Sequence, residues 1–470
     1  MKPFFRAFVI VLLVGIVVVF FISKECRVGL PSPSGELEVS FITPFLQTQQ
    51  TSKNKINVVK VVPDSLHGDE SDRIADACSS ADTVILEGVY NVNKAIYITT
   101  PTVIIGGGIL IFDSIIDAGV IINSSDVCID GIEFRTDTGN SDMIQDMIQV
   151  LGDNKRPCLS IRIVNCSIEG GYHGIRLDFC KKSLVMSNTI RKVENTGIGL
   201  YSCQDIRLEY NTIIDVNTEH KWQTSYGISA TYHYGDPKSR NILIANNTVI
   251  NNPFWEALDT HGGEHICFIN NKIKNCWRGI AAVGDDHSIH QVCDDIKIIN
   301  NTIDCSSVSL SNGIVFTGIG DDELSESFTI KDNIIHSAVI GLYSNYTRGV
   351  ILENNKVTAK DEGWRDKGSY DIVFKKNIIE LGKEEPTYYE KCGVYLSLSK
   401  CSSHNIIGSF KDNTLRTNYA PGFVAPQNFA KVDAKMAFQN NYIETLTTKY
   451  KGGAVSDNSI NMHYFNAIFE

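Results

Sequence analysis

The chain has no Cys-x-x-Cys pair among its 13 cysteines, no cluster of lysine and arginine, and no asparagine before Asn54 although 37 follow from there. Without closely paired cysteines a zinc finger or ribbon lacks ligands at the usual spacing. Without a basic cluster, on a chain with 54 acidic against 43 basic residues and a formal charge of −11, a nucleic-acid partner is not expected. Apolar residues at 43% and charged residues at 21% are ordinary globular values and exclude disorder, collagen and coiled coil for the bulk of the chain. A length of 470 residues suggests two or three domains, but a repeat architecture grows in one dimension and escapes that expectation.

The N-terminal segment stands apart. From Ala7 to Ile22 it carries no charge, with Lys2 and Arg6 before it and Lys24, Glu25 and Arg27 after it. With the preceding Pro3 to Phe5 it is about long enough to span the ~30 Å of a bilayer core. No small residues spaced like a signal-peptidase site follow it, and no small residue stands just before Cys26 as a lipoprotein signal needs. An uncleaved signal anchor over residues 1–23 is therefore expected ahead of a secreted, cleaved form, with the remainder outside the cytosol. Residues 24–55, with Pro31, Pro33 and Ser- and Gln-rich stretches, read as a linker.

A short pattern then recurs: two residues, often Asn-Asn, a variable residue, and Ile or Val. Aligned on the second residue it falls at Cys166, Asn188, Asn211, Asn247, Asn271, Asn301, Asn333, Asn355, Asn377, Asn413 and Asn441, with smallest steps of 22 and 23 residues. Apolar side chains hold fixed places five and three positions before the aligned site and two after it, as in Ile242, Ile244 and Val249, then Ile266, Phe268 and Ile273. Spacing by two means strands with those side chains on one side. A second strand opens each unit with Gly-Ile or a near match, as at Gly174-Ile175, Gly227-Ile228 and Ala257-Leu258. A unit this short cannot close a core alone, whereas stacked parallel rungs can, so the fold is an all-β solenoid of about twelve rungs.

The asparagine column has a physical reason: at a sharp turn Asn tolerates left-handed backbone, and stacked amides can bond along the axis. Cys158, Cys180 and Cys203 each lie eight residues before the aligned site of successive units. Their spacing copies the repeat, which fits a column of buried thiols and equally a disulfide between neighbouring rungs.

This organisation resembles the right-handed parallel β-helix of the pectin-lyase-like superfamily, over roughly residues 56–445. The entry segment is similar to that family's cap, with Asp69 to Ala77 as a short amphipathic helix, then Thr83 to Tyr90 and Val103 to Gly108 as strands. Residues 446–470 read as a C-terminal cap or tail. The resemblance implies a protein that acts on or binds acidic polysaccharides.

The Gly-Ile strand allows an orientation argument. With Ile175, Ile198, Ile228, Leu258 and Ile280 pointing inward, the residues one and three places later point outward: Arg176 and Asp178, Gly199 and Tyr201, Ser229 and Thr231, Asp259 and His261, Ala281 and Val283. Long turns beside this face carry Tyr232, His233, Asp285 and Asp286, while Trp255, Glu256, Trp277 and Arg278 flank the central rung. The candidate catalytic residues are His261, Asp259, His233 and Arg176. Tyr201, Tyr232, Trp255, Arg278 and Asp178 are candidates for substrate binding, and Asp285 with Asp286 for a metal, Ca²⁺ being the cofactor such carboxylates would take.

Asp259-Thr260-His261-Gly262 resembles the Asp-Pro-His-Asp/Glu motif of β-helix alginate epimerases and lyases, keeping its Asp and His. The resemblance implies β-elimination or epimerisation of a uronate, with His261 as base and Asp259 orienting it or binding metal. A glycoside hydrolase with Asp259 paired to Asp285 or Asp286 is the alternative, although the Asn-Thr-Asp, Gly-His-Gly and Arg-Ile-Lys motifs of polygalacturonases are missing. A non-catalytic glycan-binding or surface protein is the third reading. The expected partners are a polysaccharide and, through the N-terminal segment, a membrane; the assembly state stays open, a trimer included.

Overall fold

The computed structural model describes residues 56–63, 68–112, 116–136, 144–285, 291–383, 391–397, 406–417, 423–424, 434–444 and 465–469. The expected anchor and linker lie outside the described residues, as does Asp286. Among the described residues no helix is long and apolar enough to cross a membrane.

The alternating apolar positions become parallel strands that stack rung upon rung. Strands Gln204–Glu209, Arg240–Ala245, Glu264–Ile269 and Asp294–Ile299 pair so that Ile206, Ile242, Ile266 and Ile296 share one register and Leu208, Ile244, Phe268 and Ile298 another. All eight side chains are at most 1% exposed. Each such burial stabilises the fold by about 1.5–3 kcal/mol, and a single cluster of buried apolar residues runs the length of the solenoid. It begins four rungs before the first aligned site, at Val58–Val61, Thr83–Leu86, Val103–Gly106 and Cys128–Asp130, so the coil has more rungs than the dozen that the motif marks.

At the entry, helix Ser71–Ser80 turns Ile74, Ala77 and Cys78 onto this core and packs against Val58–Val61, Thr83–Leu86 and Ile96–Ile98. Asp69 begins it by accepting the Ser71 backbone N–H at 3.1 Å. At the far end Phe465–Phe469 pairs antiparallel with Ala434–Glu444.

The aligned asparagines form a continuous ladder. From Asn188 to Asn413 each donates Nδ2 to Oδ1 of the next, at 2.8 to 3.3 Å. The same Oδ1 also accepts the backbone N–H of the preceding aligned residue, as Asn271 does from Asn247 at 2.9 Å. Left-handed backbone falls one residue earlier than the sequence suggested: Asn246, Asn270, Asn300 and Asn354 have φ between 53° and 58°. The outer residue makes the turn and the aligned one turns its amide inward. Cys158 and Cys180 stand in register, and Cys158, Cys180 and Cys203 are buried free thiols.

Asn271→Ala would strand Asn247 N–H and Ile244 C=O, whose bonds to this amide are 2.9 Å each. Unpaired buried groups cost ~1–3 kcal/mol apiece, so a loss of about 3 kcal/mol is expected by denaturant unfolding, against less than about 1 kcal/mol for Asn270→Gly in the neighbouring turn.

Candidate functional site

The Gly-Ile strands lie side by side as expected. Arg176, Gly199, Ser229, Asp259 and Ala281 form one column, and Asp178, Tyr201, Thr231, His261 and Val283 lie along another. Ile175, Ile198, Ile228, Leu258 and Ile280 point inward and are all 0% exposed. The flanking residues Glu256 and Arg278 belong to a third outward column that runs Asp146, His173, Thr196, Tyr226, Glu256 and Arg278. Strict alternation from Asp259 would place Ala257 outside and Glu256 inside. The alternation breaks because the Gly/Ala position is a tight corner. A Cβ on Gly227 would sit 2.4 Å from the Ala257 carbonyl oxygen, and one on Gly279 2.5 Å from that of Gly313. The corner lets Glu256 and Asp259 emerge on the same side. The row of small residues before each inward Ile was the signal in the sequence.

Glu256, Asp259 and His261 converge there. Nε2 of His261 lies 3.3 Å from Asp259 Oδ1 and 3.9 Å from Glu256 Oε2. One donor atom from each residue falls within 4.8 Å of the other two. The second oxygens are tied down: Arg278 Nη1 donates to Glu256 Oε1 at 2.6 Å, and Ser229 Oγ donates to Asp259 Oδ2 at 2.8 Å. Glu256 Oε2, Asp259 Oδ1 and His261 Nε2 have no hydrogen-bond partner in the protein. The two carboxylates are 1% and 0% exposed, so Asp259 lies on the outer face but beneath its surface, while the His261 side chain is 28% exposed.

Electrostatics divides the pair. Burial pushes the Asp259 carboxyl well above the usual range and the Glu256 charge adds to this, against the pull of His261 and the Ser229 bond. Burial acts on Glu256 too, but His261 and Arg278 outweigh it and hold its carboxyl below the usual value. Burial opposes charge on His261, yet the Asp259 and Glu256 carboxylates prevail and raise it to about 9.

Arg278 lies over both indoles, 5.0 Å from the Trp255 ring and 4.4 Å from that of Trp277. Tyr226 meets His261 edge-on at 6.3 Å between centroids.

Arg176, Asp178 and Tyr201 gather in a second cluster, on strands three and two rungs before the Asp259 strand, or ~10–14 Å at ~4.8 Å per rung, and His233 joins them from the turn after Tyr226–Thr231. Arg176 Nε donates to Asp178 Oδ2 at 3.0 Å and its guanidinium lies 3.7 Å from Asp146. His233 Nε2 meets Asp178 Oδ1 at 2.6 Å and its ring stacks on Tyr201 at 4.7 Å. His173 Nδ1 in turn pairs with Asp146. The predicted catalytic set is thus split: His261 and Asp259 meet, and His233 and Arg176 serve another place.

Two expectations need correction. Tyr232, predicted to bind substrate, is 9% exposed and donates its hydroxyl to Asp285 Oδ2 at 3.1 Å. The carboxylate paired with Asp259 is Glu256 and not Asp285. Among the described residues the group of carboxylates and imidazole close enough to hold a metal is Glu256, Asp259 and His261.

Residues 110–255 match the family model of the right handed beta helix region. The described residues from 56 onward form a parallel β-helix, right-handed over the matched residues. This β-helix is similar to the catalytic unit of a GH87 α-1,3-glucanase from Streptomyces thermodiastaticus strain HF3-3, with TM-score 0.54 and 13% identity over 76% of this chain and 66% of that one. It is similar to tailspike protein 3 of bacteriophage CBA120, with TM-score 0.54 and 10% identity over 79% of this chain and 59% of that one. A GH87 α-1,3-glucanase catalytic domain in complex with nigerose gives TM-score 0.50 and 13% identity over 82% and 69%. The β-helix therefore spans less than two thirds of the first glucanase unit and of the tailspike, and at these identities the likeness is one of fold. No curated protein sequence matches the β-helix.

The buried Glu256–Arg278 pair gives a test of the geometry. Arg278→Ala leaves a buried carboxylate uncompensated, which typically costs ~3–5 kcal/mol, and Glu256→Gln in the same chain is expected to recover much of that loss in urea unfolding.

Proposed function

We propose that the protein acts on a polysaccharide as a glycosidic-bond-cleaving enzyme, binding the glycan along the outer face between Arg176 and Arg278. The observation that carries this reading is the convergence of three polar atoms without protein partners, Glu256 Oε2, Asp259 Oδ1 and His261 Nε2, on a face lined by Trp255, Trp277, Tyr226 and Tyr201. Aromatic faces offer stacking surface to sugar rings, and a perturbed ionisable cluster among them marks a reaction centre.

Hydrolysis of a neutral glycan fits better than β-elimination. A polyuronate needs counter-charge for a carboxylate on every sugar along the groove, beyond any cation that serves the one at the reaction centre. Arg176 is held by Asp178 with Asp146 close by, and Arg278 is held by Glu256 over two indoles. On an acidic chain these committed arginines leave an anionic polymer poorly served. The fold's likeness to α-1,3-glucanases leans the same way.

Full-length protein incubated with a panel of neutral and acidic polysaccharides is expected to release reducing ends from a neutral one, without the ultraviolet absorbance of an unsaturated uronate. His261→Ala should lower turnover ~10²-fold or more, the scale of removing a positioned group from a reaction centre, and also lower the melting temperature because the buried carboxylates lose their imidazolium, so turnover is compared well below the variant's own transition. Absorbing products would establish elimination instead, and binding without turnover would establish a lectin-like role. We also propose that residues 7–22 anchor the β-helix outside the cytosol; protease added to intact cells should then remove residues 56–470, and protection would refute it.

A further inference from the structure

We infer that Glu256, Asp259 and His261 form a binding site for one first-row divalent cation of the Zn²⁺ or Mn²⁺ class. The inference deepens the hydrolase reading by naming the group that would polarise water or a sugar oxygen, but it stands or falls on metal binding alone.

Geometry carries it. Bonds of ~2.0–2.2 Å to a cation put neighbouring donors ~3.0–3.6 Å apart in tetrahedral or octahedral arrangement. Here the imidazole nitrogen stands 3.3 Å and 3.9 Å from the two carboxylate oxygens, so a small movement of Glu256 closes the set. Glu256 and Asp259 are more than nine-tenths buried, and each aims an unpartnered oxygen at the same point. Their other oxygens are held by Arg278 and Ser229, the outer hydrogen bonds that orient metal-ligating carboxylates.

Function gives a second reason. Carboxylates with 0% and 1% exposure do not reach a sugar, whereas a cation between them and the 28%-exposed His261 would present its remaining coordination positions to the groove. The donor set names the class of cation. One imidazole with two carboxylates suits borderline ions, while Ca²⁺ prefers six to eight oxygens at ~2.3–2.6 Å. The expected Ca²⁺ ligand Asp285 already accepts the Tyr232 hydroxyl and is not part of this set.

The test uses the full-length protein, stripped with a chelator and titrated with Zn²⁺, Mn²⁺ or Ca²⁺ by calorimetry and thermal unfolding. One equivalent of Zn²⁺ or Mn²⁺ is expected to bind and raise the melting temperature, with Ca²⁺ at least 10-fold weaker. Ser229→Ala keeps all three donors and should weaken binding by about 10-fold through the freed Asp259 carboxylate. The triple variant Glu256→Gln, Asp259→Asn, His261→Gln should bind none at this stoichiometry. Absence of stoichiometric binding by the wild-type chain, or binding unchanged in the triple variant, overturns the inference. Glycan cleavage by a wild-type chain that binds no stoichiometric metal overturns it and leaves the hydrolase reading standing. Metal binding without cleavage of any glycan does the reverse.

Discussion

Everything in this molecule depends on one constraint: each rung satisfies its backbone hydrogen bonds through the rungs above and below. A 22-residue coil has no interior of its own, so its strands persist only when a neighbour lies in register. The asparagine ladder locks that register at one corner. Each amide carbonyl accepts both a backbone N–H and a side-chain N–H from the preceding rung, and each amide N–H₂ also reaches a strand carbonyl, as Asn271 does to Ile244 at 2.9 Å. A slip of one residue would break this two-fold bonding and turn the isoleucine columns outward.

The same register makes a site possible on an otherwise repetitive surface. Residues far apart in sequence come side by side because equivalent positions stack, so Ser229, Glu256, Asp259 and Arg278 meet across adjacent rungs without any special loop. Burying carboxylates is costly, of the order of several kcal/mol per ion before compensation. Solenoid stability does not require that cost, since neighbouring rungs fill the same positions with Gly199, Thr231, Ala281 and Val283. The cluster is a local departure from the repeat, and a local departure on one face is what a reaction centre on a solenoid should look like.

The repeat made most of the fold legible. Isoleucines at fixed offsets from the aligned asparagine predicted the inward columns, and Asp259 with His261 followed from counting outward from Leu258. Glu256 could be placed only as flanking the central rung because alternation fails at Ala257, the corner position whose glycine counterparts Gly227 and Gly279 leave no room for a Cβ. His233 was hidden for a different reason. Its turn runs back across two strands to Asp178, while Tyr232, the residue before it, runs forward to Asp285. A turn's direction depends on tertiary contacts that spacing does not encode. The left-handed residue was misplaced by one position because Asn246 and Asn247 look alike in sequence but differ in role, one making the turn and the other the ladder.

The polar face also has a boundary, and it favours one direction for a bound chain. Past the cluster the outward positions become the apolar Ala281 and Val315, so its polar character ends there. In the other direction the small Gly199 and Ser229 lie between His261 and the Tyr201–His233 stack. A glycan lying on this face would reach the cluster near one of its ends and extend toward Arg176, a span of about four rungs or ~19 Å. The arginines at either limit, each already paired with a carboxylate and laid against aromatic rings, would offer hydrogen-bonding edges with little net charge, which suits a neutral sugar chain.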